Sequence, residues 1–271
     1  MIRFESVNFK YPSSKKYVLQ NITTVFEPYK ATVLVGPNGA GKSTFVRLMN
    51  GLLRPTAGKV WLNSKDTAQL SVAQIARQVG VVFQNPNHQI FSSTVMDEVS
   101  FALKNFGYTA AETAERAQKA LARMNLLEHS NTSPFMLSSG EKKRLTIASV
   151  LAYEPDILVF DEPTVGQDLG NKLVIGQVIR EYVSAQKCVV AVTHDLDFAT
   201  SFFDRMLILN DGLIVADSTP REVLLNHSLM SNNGLEVTEK GYLELLSKKL
   251  GFSDTYDPNR LARFLVERFC T

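Results

Sequence analysis

The run Gly36, Pro37, Asn38, Gly39, Ala40, Gly41, Lys42, Ser43, Thr44 has the spacing glycine, four residues, glycine, lysine, serine. Glycines leave main-chain N–H groups free to close around phosphate oxygens. A lysine at that place reaches the β- and γ-phosphates, and the neighbouring serine hydroxyl can hold Mg²⁺. An apolar run, Ala31 to Val35, precedes the loop and a helical pattern follows it. Strand, loop and helix together read as a nucleoside triphosphate site, not as a plain glycine-rich turn.

A second group closes another apolar run: Ile157 to Phe160 ends in Asp161 and Glu162. The first carboxylate can support Mg²⁺ through its water shell, and the second can polarise an attacking water. Alone, the pair also fits an acidic helix cap after a strand. Leu137, Ser138, Ser139, Gly140 and Glu141 lead into Lys142, Lys143 and Arg144 and then a helical pattern at Leu145, Ile147, Ala148 and Leu151. Local physics gives Ser138 and Glu141 a capping box. Gln84, Asp168, His194 and Tyr11 each have plain alternatives: a loop amide, a solvated cap, a satisfied histidine and a surface aromatic.

These groups need a scaffold, and the apolar runs supply it. Ile2 to Phe9 alternates, whereas the runs at 79–83, 157–160, 188–192 and 206–209 include several that are apolar throughout, as strands of a covered parallel sheet are. The expected fold is α/β with antiparallel strands at the N-terminal edge. Asp211 and Gly212 between two β-rich runs predict a tight hairpin. From about 94 to 152 the pattern turns helical, with starts at Thr94, Thr109 and Ser138. Thr219-Pro220-Arg221-Glu222 opens a further helix, with two more expected near 239–250 and 258–269. Residues 1–218 are therefore expected to form a nucleotide-binding domain, and 219–271 a helical extension whose last helix could pair with a second subunit or fold back on its own domain.

Bulk composition narrows the class. Of 271 residues, 45% are hydrophobic, enough for a sizeable core, and the 29 basic and 27 acidic residues are mixed, so no nucleic-acid stripe is implied. Two cysteines, Cys188 and Cys270, make no disulfide framework and suit a reducing compartment. No apolar run approaches the ~18 residues of a membrane span, so service to a membrane would require docking onto another polypeptide.

The ordered set of phosphate loop, Gln84, Leu137 to Glu141, Asp161-Glu162, Thr164 to Asp168 and His194 closely resembles the ATP-binding cassette (ABC) ATPase family, a P-loop NTPase fold. The resemblance runs to about Asp217. It implies ATP and Mg²⁺ as cofactors, and Lys42, Gln84, Glu162 and His194 as catalytic groups. It places Ser43, Gln84 and Asp161 at the metal and Tyr11 on adenine. Leu137 to Glu141 and Asp168 would contact nucleotide held by the opposite subunit of a dimer, homomeric or heteromeric; Ser139 and Glu141 stand where the family has Gly and Gln.

Phe83 to Phe91, followed by Thr94 to Phe101, is similar to the energy-coupling factor (ECF) subfamily and its cobalt-type relatives. That resemblance implies a peripheral subunit on the cytoplasmic face of the membrane, energising an importer of vitamins or transition-metal ions. Its partners would be a second ABC ATPase, a transmembrane scaffold protein and a substrate-capture membrane protein. Asn85 to Phe101 would form the scaffold groove, with Asp97 and Glu98 pairing its arginines or simply stabilising a helix start. The alternatives are another ABC importer or exporter, a soluble ABC ATPase of repair or translation, and a non-hydrolysing interaction subunit. The single cassette without a heptad insert or basic arm opposes the soluble reading, and the intact Lys42, Asp161, Glu162 and His194 oppose the last.

Overall fold

The computed structural model describes residues 1–236, so the helices expected near 239–250 and 258–269 lie outside the described residues. In chain order the elements are β1 (Ile2–Phe9), β2 (Leu19–Phe26), β3 (Ala31–Val35), α1 (Lys42–Met49), β4 (Ala57–Leu62), β5 (Lys65–Asp66), α2 (Val72–Ala76) and β6 (Val79–Val82). There follow α3 (Val95–Asn105), α4 (Ala110–Arg123), α5 (Ser139–Leu151), β7 (Ile157–Asp161), α6 (Leu169–Ser184) and β8 (Cys188–Val192). The described part closes with α7 (Leu196–Phe202), β9 (Arg205–Asn210), β10 (Leu213–Ser218), α8 (Pro220–Leu225) and α9 (His227–Asn232).

The strands form two sheets, ordered β2-β1-β4-β5 and β10-β9-β3-β8-β7-β6. In the second, β9, β3, β8, β7 and β6 are parallel, and β10 pairs antiparallel with β9 through a turn in which Asp211 and Gly212 both have positive φ. The runs read as doubly covered strands are so: every residue of β3, β6 and β8 is buried. The N-terminal antiparallel strands stand in a sheet of their own, joined by β2, β4 and β5. Those three carry polar residues on their outward faces and so lack the continuous apolar run that marks the parallel strands.

Two apolar clusters divide the interior. One lies between the parallel sheet and helices α3 to α9. The other lies between the two sheets and holds α1, where Phe45 stacks on Phe4 at 4.4 Å and meets Phe26 edge-on at 5.8 Å. This aromatic trio fixes the helix that leaves the phosphate loop. Cys188 belongs to the same cluster; burial pushes its thiol up to about 12, so it is inert packing.

The expected helix starts are capped as the sequence implies. Thr94 accepts the N–H of Asp97 at 3.0 Å, and Thr109, Ser138 and Thr219 each close a full capping box. Strand β6 passes so near α5 that only glycine fits at position 80. A Cβ there would lie 2.5 Å from Val150 and 2.6 Å from the Pro155 ring. Gly80→Val is therefore expected to lower stability by about 1–3 kcal/mol through overpacking. A urea unfolding midpoint equal to that of the parent protein would contradict this packing.

Candidate functional site

Parallel register places the chemistry. Leu34 on β3 pairs with Val192 on β8, and Val192 pairs with Asp161 on β7. The residues that follow these positions are Gly36 of the loop, His194 and Glu162, so three carboxyl strand ends deliver them to one edge. Between them opens a cleft of about 440 Å³ lined by Asn38, Gly39, Gly41, Lys42, Ser43, Thr44, Gln84, Asp161, Glu162 and His194, together with Val18 and Val192.

The loop is held by contacts that exclude side chains. A Cβ on Gly36, whose φ is +149°, would fall 2.0 Å from the carbonyl oxygen of Leu209. Lys42 Nζ donates to the carbonyls of Gly36 at 2.7 Å and Pro37 at 2.9 Å. Desolvation lowers its pKa, while the charges of Glu162 and Asp161 pull the other way. Ala40 is buried in the core. Thr44 is buried too, and its hydroxyl is within 3.1 Å of the Tyr11 hydroxyl, whose ring stands edge-on to Phe9. Tyr11 thus borders the loop without lining the cleft.

Glu162 is almost buried and sits in the left-handed region at φ +49°, a conformation that costs on the order of 1–3 kcal/mol outside glycine. Its N–H donates to the Val192 carbonyl at 2.8 Å, which pins the strained turn to the neighbouring strand. One carboxylate oxygen lies 3.0 Å from Nδ1 of the exposed His194 without a hydrogen bond being made, and among the described residues it has no hydrogen-bond partner. A buried orphan acceptor facing a phosphate loop is what a water-activating base requires. Beside it Asp161 has its pKa raised, first by desolvation and then by Glu162, against the opposing charges of Lys143, Arg47 and Lys42.

The remaining predicted residues lie elsewhere. Among the described residues, none of Leu137 to Glu141 and not Asp168 lines this cleft. Leu137 is buried in the helix-side core, while Ser138 and Ser139 are exposed at the start of α5. Glu141 turns its carboxylate back: one oxygen accepts the Ser138 N–H at 2.8 Å and hydroxyl at 2.7 Å, and the other lies 3.6 Å from Nε2 of His129. Those bonds lower its pKa. Asp168 caps α6 through the Asn171 N–H, and Arg144 on α5 donates to Asn171 at 2.8 Å, joining the two helices near their N-terminal ends. A Cβ on Gly140 would come within 2.9 Å of the same asparagine amide, so α5 and α6 touch here.

Sequence reasoning passed over three supporting side chains. Lys172 on α6 pairs with Asp195 at 2.6 Å, beside His194, and Lys143 reaches the Gln84 loop. The run Lys142-Lys143-Arg144 was the visible signal for the last, but a charge run by itself reads as a solvated face.

Phosphate loop, strand-end carboxylates and histidine on one parallel sheet define a P-loop nucleotide hydrolase. The sequence profile of the ABC transporter family matches residues 19–165. An energy-coupling factor transporter ATP-binding protein of Geobacillus kaustophilus is 34% identical over 88% of this chain and 85% of its own length. A Methanosarcina acetivorans relative is 38% identical over 80% of this chain, which spans only 36% of that relative. Among solved structures, the cbiO1 protein of Clostridium perfringens, part of the ABC transporter complex cbiONQ, superposes with a TM-score of 0.73 at 28% identity, covering 89% of this chain and 97% of that one. A dimeric ATP-binding cassette in a post-hydrolysis state, bound to ADP and Pi, gives 0.73 at 29% identity over 81% and 99%. The chain belongs to the ABC transporter ATP-binding family, a family of ATP-hydrolysing transporter subunits.

Two outcomes are expected at this site. Glu162→Gln removes the orphan carboxylate and, with Glu162 as the candidate base, should slow ATP hydrolysis by about 10²–10⁴-fold, with retained binding of a fluorescent ATP analogue; turnover at the parent rate would remove Glu162 from that role. Asp161 has a raised pKa in the fold, so its ionised form costs stability above that pKa, and the cost vanishes below the unfolded value of 3.8. Asp161→Asn should accordingly raise the nucleotide-free melting temperature at pH 7.5, with the gain shrinking as pH falls toward 4. An unchanged or lower melting temperature at pH 7.5 would contradict the burial cost.

Proposed function

We propose that this protein is the ATPase subunit of an ECF-type importer, hydrolysing Mg²⁺-ATP to drive uptake of a vitamin or transition-metal ion. Ser43, Gln84 and Asp161 offer hydroxyl, amide and carboxylate oxygens in one cleft, the hard donor set Mg²⁺ takes. These residues would hold the metal, which would supply positive charge to offset that of the phosphates. Lys42 holds the terminal phosphate, Glu162 takes a proton from the attacking water, and His194 keeps that geometry. Tyr11 supports the adenine beside the loop.

Ser138, Gly140 and Asp168 do not line their own cleft, and in this reading they complete the site of a second ATPase subunit set head to tail. Closure then depends on triphosphate bridging both subunits, and hydrolysis releases it. Residues 1–218 with the 94–152 helical insert are the motor domain in this reading.

The observation that carries the ECF reading is a groove of about 310 Å³ between the insert and the sheet domain. It is lined by apolar side chains that stand open to solvent, with Phe91 59% and Phe101 48% exposed, and by Leu52 and Val72. An unshielded aromatic pair of this kind, 4.6 Å apart and edge-on, suits a helix docked from a membrane partner. Of the two acidic candidates, Glu98 lines the groove; its carboxylate also accepts the N–H groups of Phe91 and Ser92. Asp97 does not line it; its carboxylate bonds the Thr94 hydroxyl and pairs with Lys104 on another face. Glu98 is only 4% exposed, so in this reading it holds the Phe91–Ser92 turn at the rim of the groove, and the apolar face makes the contact. Among the described residues no helix is long and apolar enough to cross a membrane. In this reading the subunit attaches through the groove, at the cytoplasmic face.

Phe101→Asp should abolish co-purification with a co-expressed ECF transmembrane scaffold protein from solubilised membranes, with ATP binding by the isolated subunit unchanged. Undiminished co-purification would overturn the groove assignment.

A further inference from the structure

A lysine ammonium lies behind the strand-end carboxylates, hidden from solvent. Lys143 is on α5, five positions after Ser138, and is 2% exposed. Its Nζ donates to the carbonyl of Phe83 at 2.9 Å and to that of Gln84 at 3.3 Å. Burying an ammonium against neutral carbonyls is costly, and an apolar side chain of similar length would fill the space at lower cost. Desolvation brings its pKa down to about 8, with the charges of Asp161 and Glu162 acting to raise it. Reciprocally, Lys143 is the strongest positive influence on Asp161, ahead of Arg47 and Lys42. Packing alone does not account for such a group.

We propose that Lys143 is a positioning residue for ATP hydrolysis. It ties the main chain of the Gln84 loop to the helix headed by Ser138, and so sets where the Gln84 amide meets the metal and the attacking water. The inference rests on Gln84 serving the hydrolytic cleft. Helix α5 then has two duties at opposite ends of about one and a half turns. Ser138 is exposed, available to the second subunit of the proposed dimer, and Lys143 is buried against the main chain of the Gln84 loop. A small rotation of α5 on contact at Ser138 is passed to Gln84 through two hydrogen bonds. Misplacement of a reacting group by ~1 Å is enough to cost on the order of 10²-fold in rate.

The test is steady-state ATP hydrolysis by the purified full chain and by Lys143→Met and Lys143→Arg, with Gln84→Ala as the reference for loss of the amide itself. Lys143→Met should lower kcat about tenfold or more while KM for ATP stays within about twofold, the split expected when only the reacting geometry is disturbed. The Mg²⁺ concentration giving half the maximal rate should rise in parallel. Lys143→Arg, which keeps donors for both carbonyls, should restore most of kcat.

Unchanged kcat and Mg²⁺ dependence in Lys143→Met would overturn the proposal, as would equal losses of ATP binding and thermal stability, the mark of a merely structural cation. Should Lys143→Met not fold, Lys143→Gln is measured in the same way and judged by the same results. Gln84→Ala hydrolysing at the parent rate would overturn the underlying role of Gln84. Impairment of Gln84→Ala alone would overturn only the role of Lys143.

Discussion

The register of three parallel strands is the constraint on which the rest depends. Leu34, Val192 and Asp161 occupy one row across β3, β8 and β7, so the turns leaving those strands converge without any long-range adjustment. Slippage by one residue in any strand would reverse its side chains between the two apolar clusters, and burial on both faces opposes that strongly. The chemistry is therefore positioned by hydrophobic burial on either side of the sheet. The aromatic clamp on α1 adds a second anchor immediately after the phosphate loop.

Charge in the cleft is arranged at some expense to the fold. Asp161 and Glu162 are adjacent carboxylates near the interior; Glu162 adopts left-handed backbone and leaves an oxygen without a protein hydrogen bond. Such strain and orphaned polarity concentrate at functional sites. Lys42 and Lys143 approach the pair from different elements, one in the phosphate loop and one on α5. At the outward loop the same economy appears with opposite effect. Glu141 brings negative charge to a surface that faces a triphosphate in the proposed assembly, yet its carboxylate is folded onto the Ser138 cap with His129 alongside.

Much of this was legible in the sequence because it depends on local patterns. The strand, loop and helix at 31–49 follow from one contiguous stretch, and the hairpin at Asp211-Gly212 and the caps at Thr94, Thr109, Ser138 and Thr219 from residues only a few positions apart. Strands β2, β4 and β5 were not legible, since Gln20, Asn21, Thr23 and Lys59 interrupt any apolar run on faces that only the sheet defines. The grip of Lys143 on the Gln84 loop spans about sixty positions, and the Lys172–Asp195 pair about twenty, so neither has a local signature. The split between Asp97 and Glu98 was equally hidden. Adjacent helix positions point roughly 100° apart, and only the packed structure shows which one meets the groove.

The central claim is that one chain holds two halves of different sites, so ATP closes a pair of subunits and hydrolysis opens it. The most direct measurement is sedimentation velocity of the Glu162→Gln chain, alone and with its paired ATPase subunit, in saturating Mg²⁺-ATP and in Mg²⁺-ADP. The account predicts a compact dimer with ATP, monomers with ADP, and loss of the ATP dimer on adding Ser138→Arg. Monomers under every nucleotide condition, or a dimer indifferent to ATP and to Ser138, would contradict it.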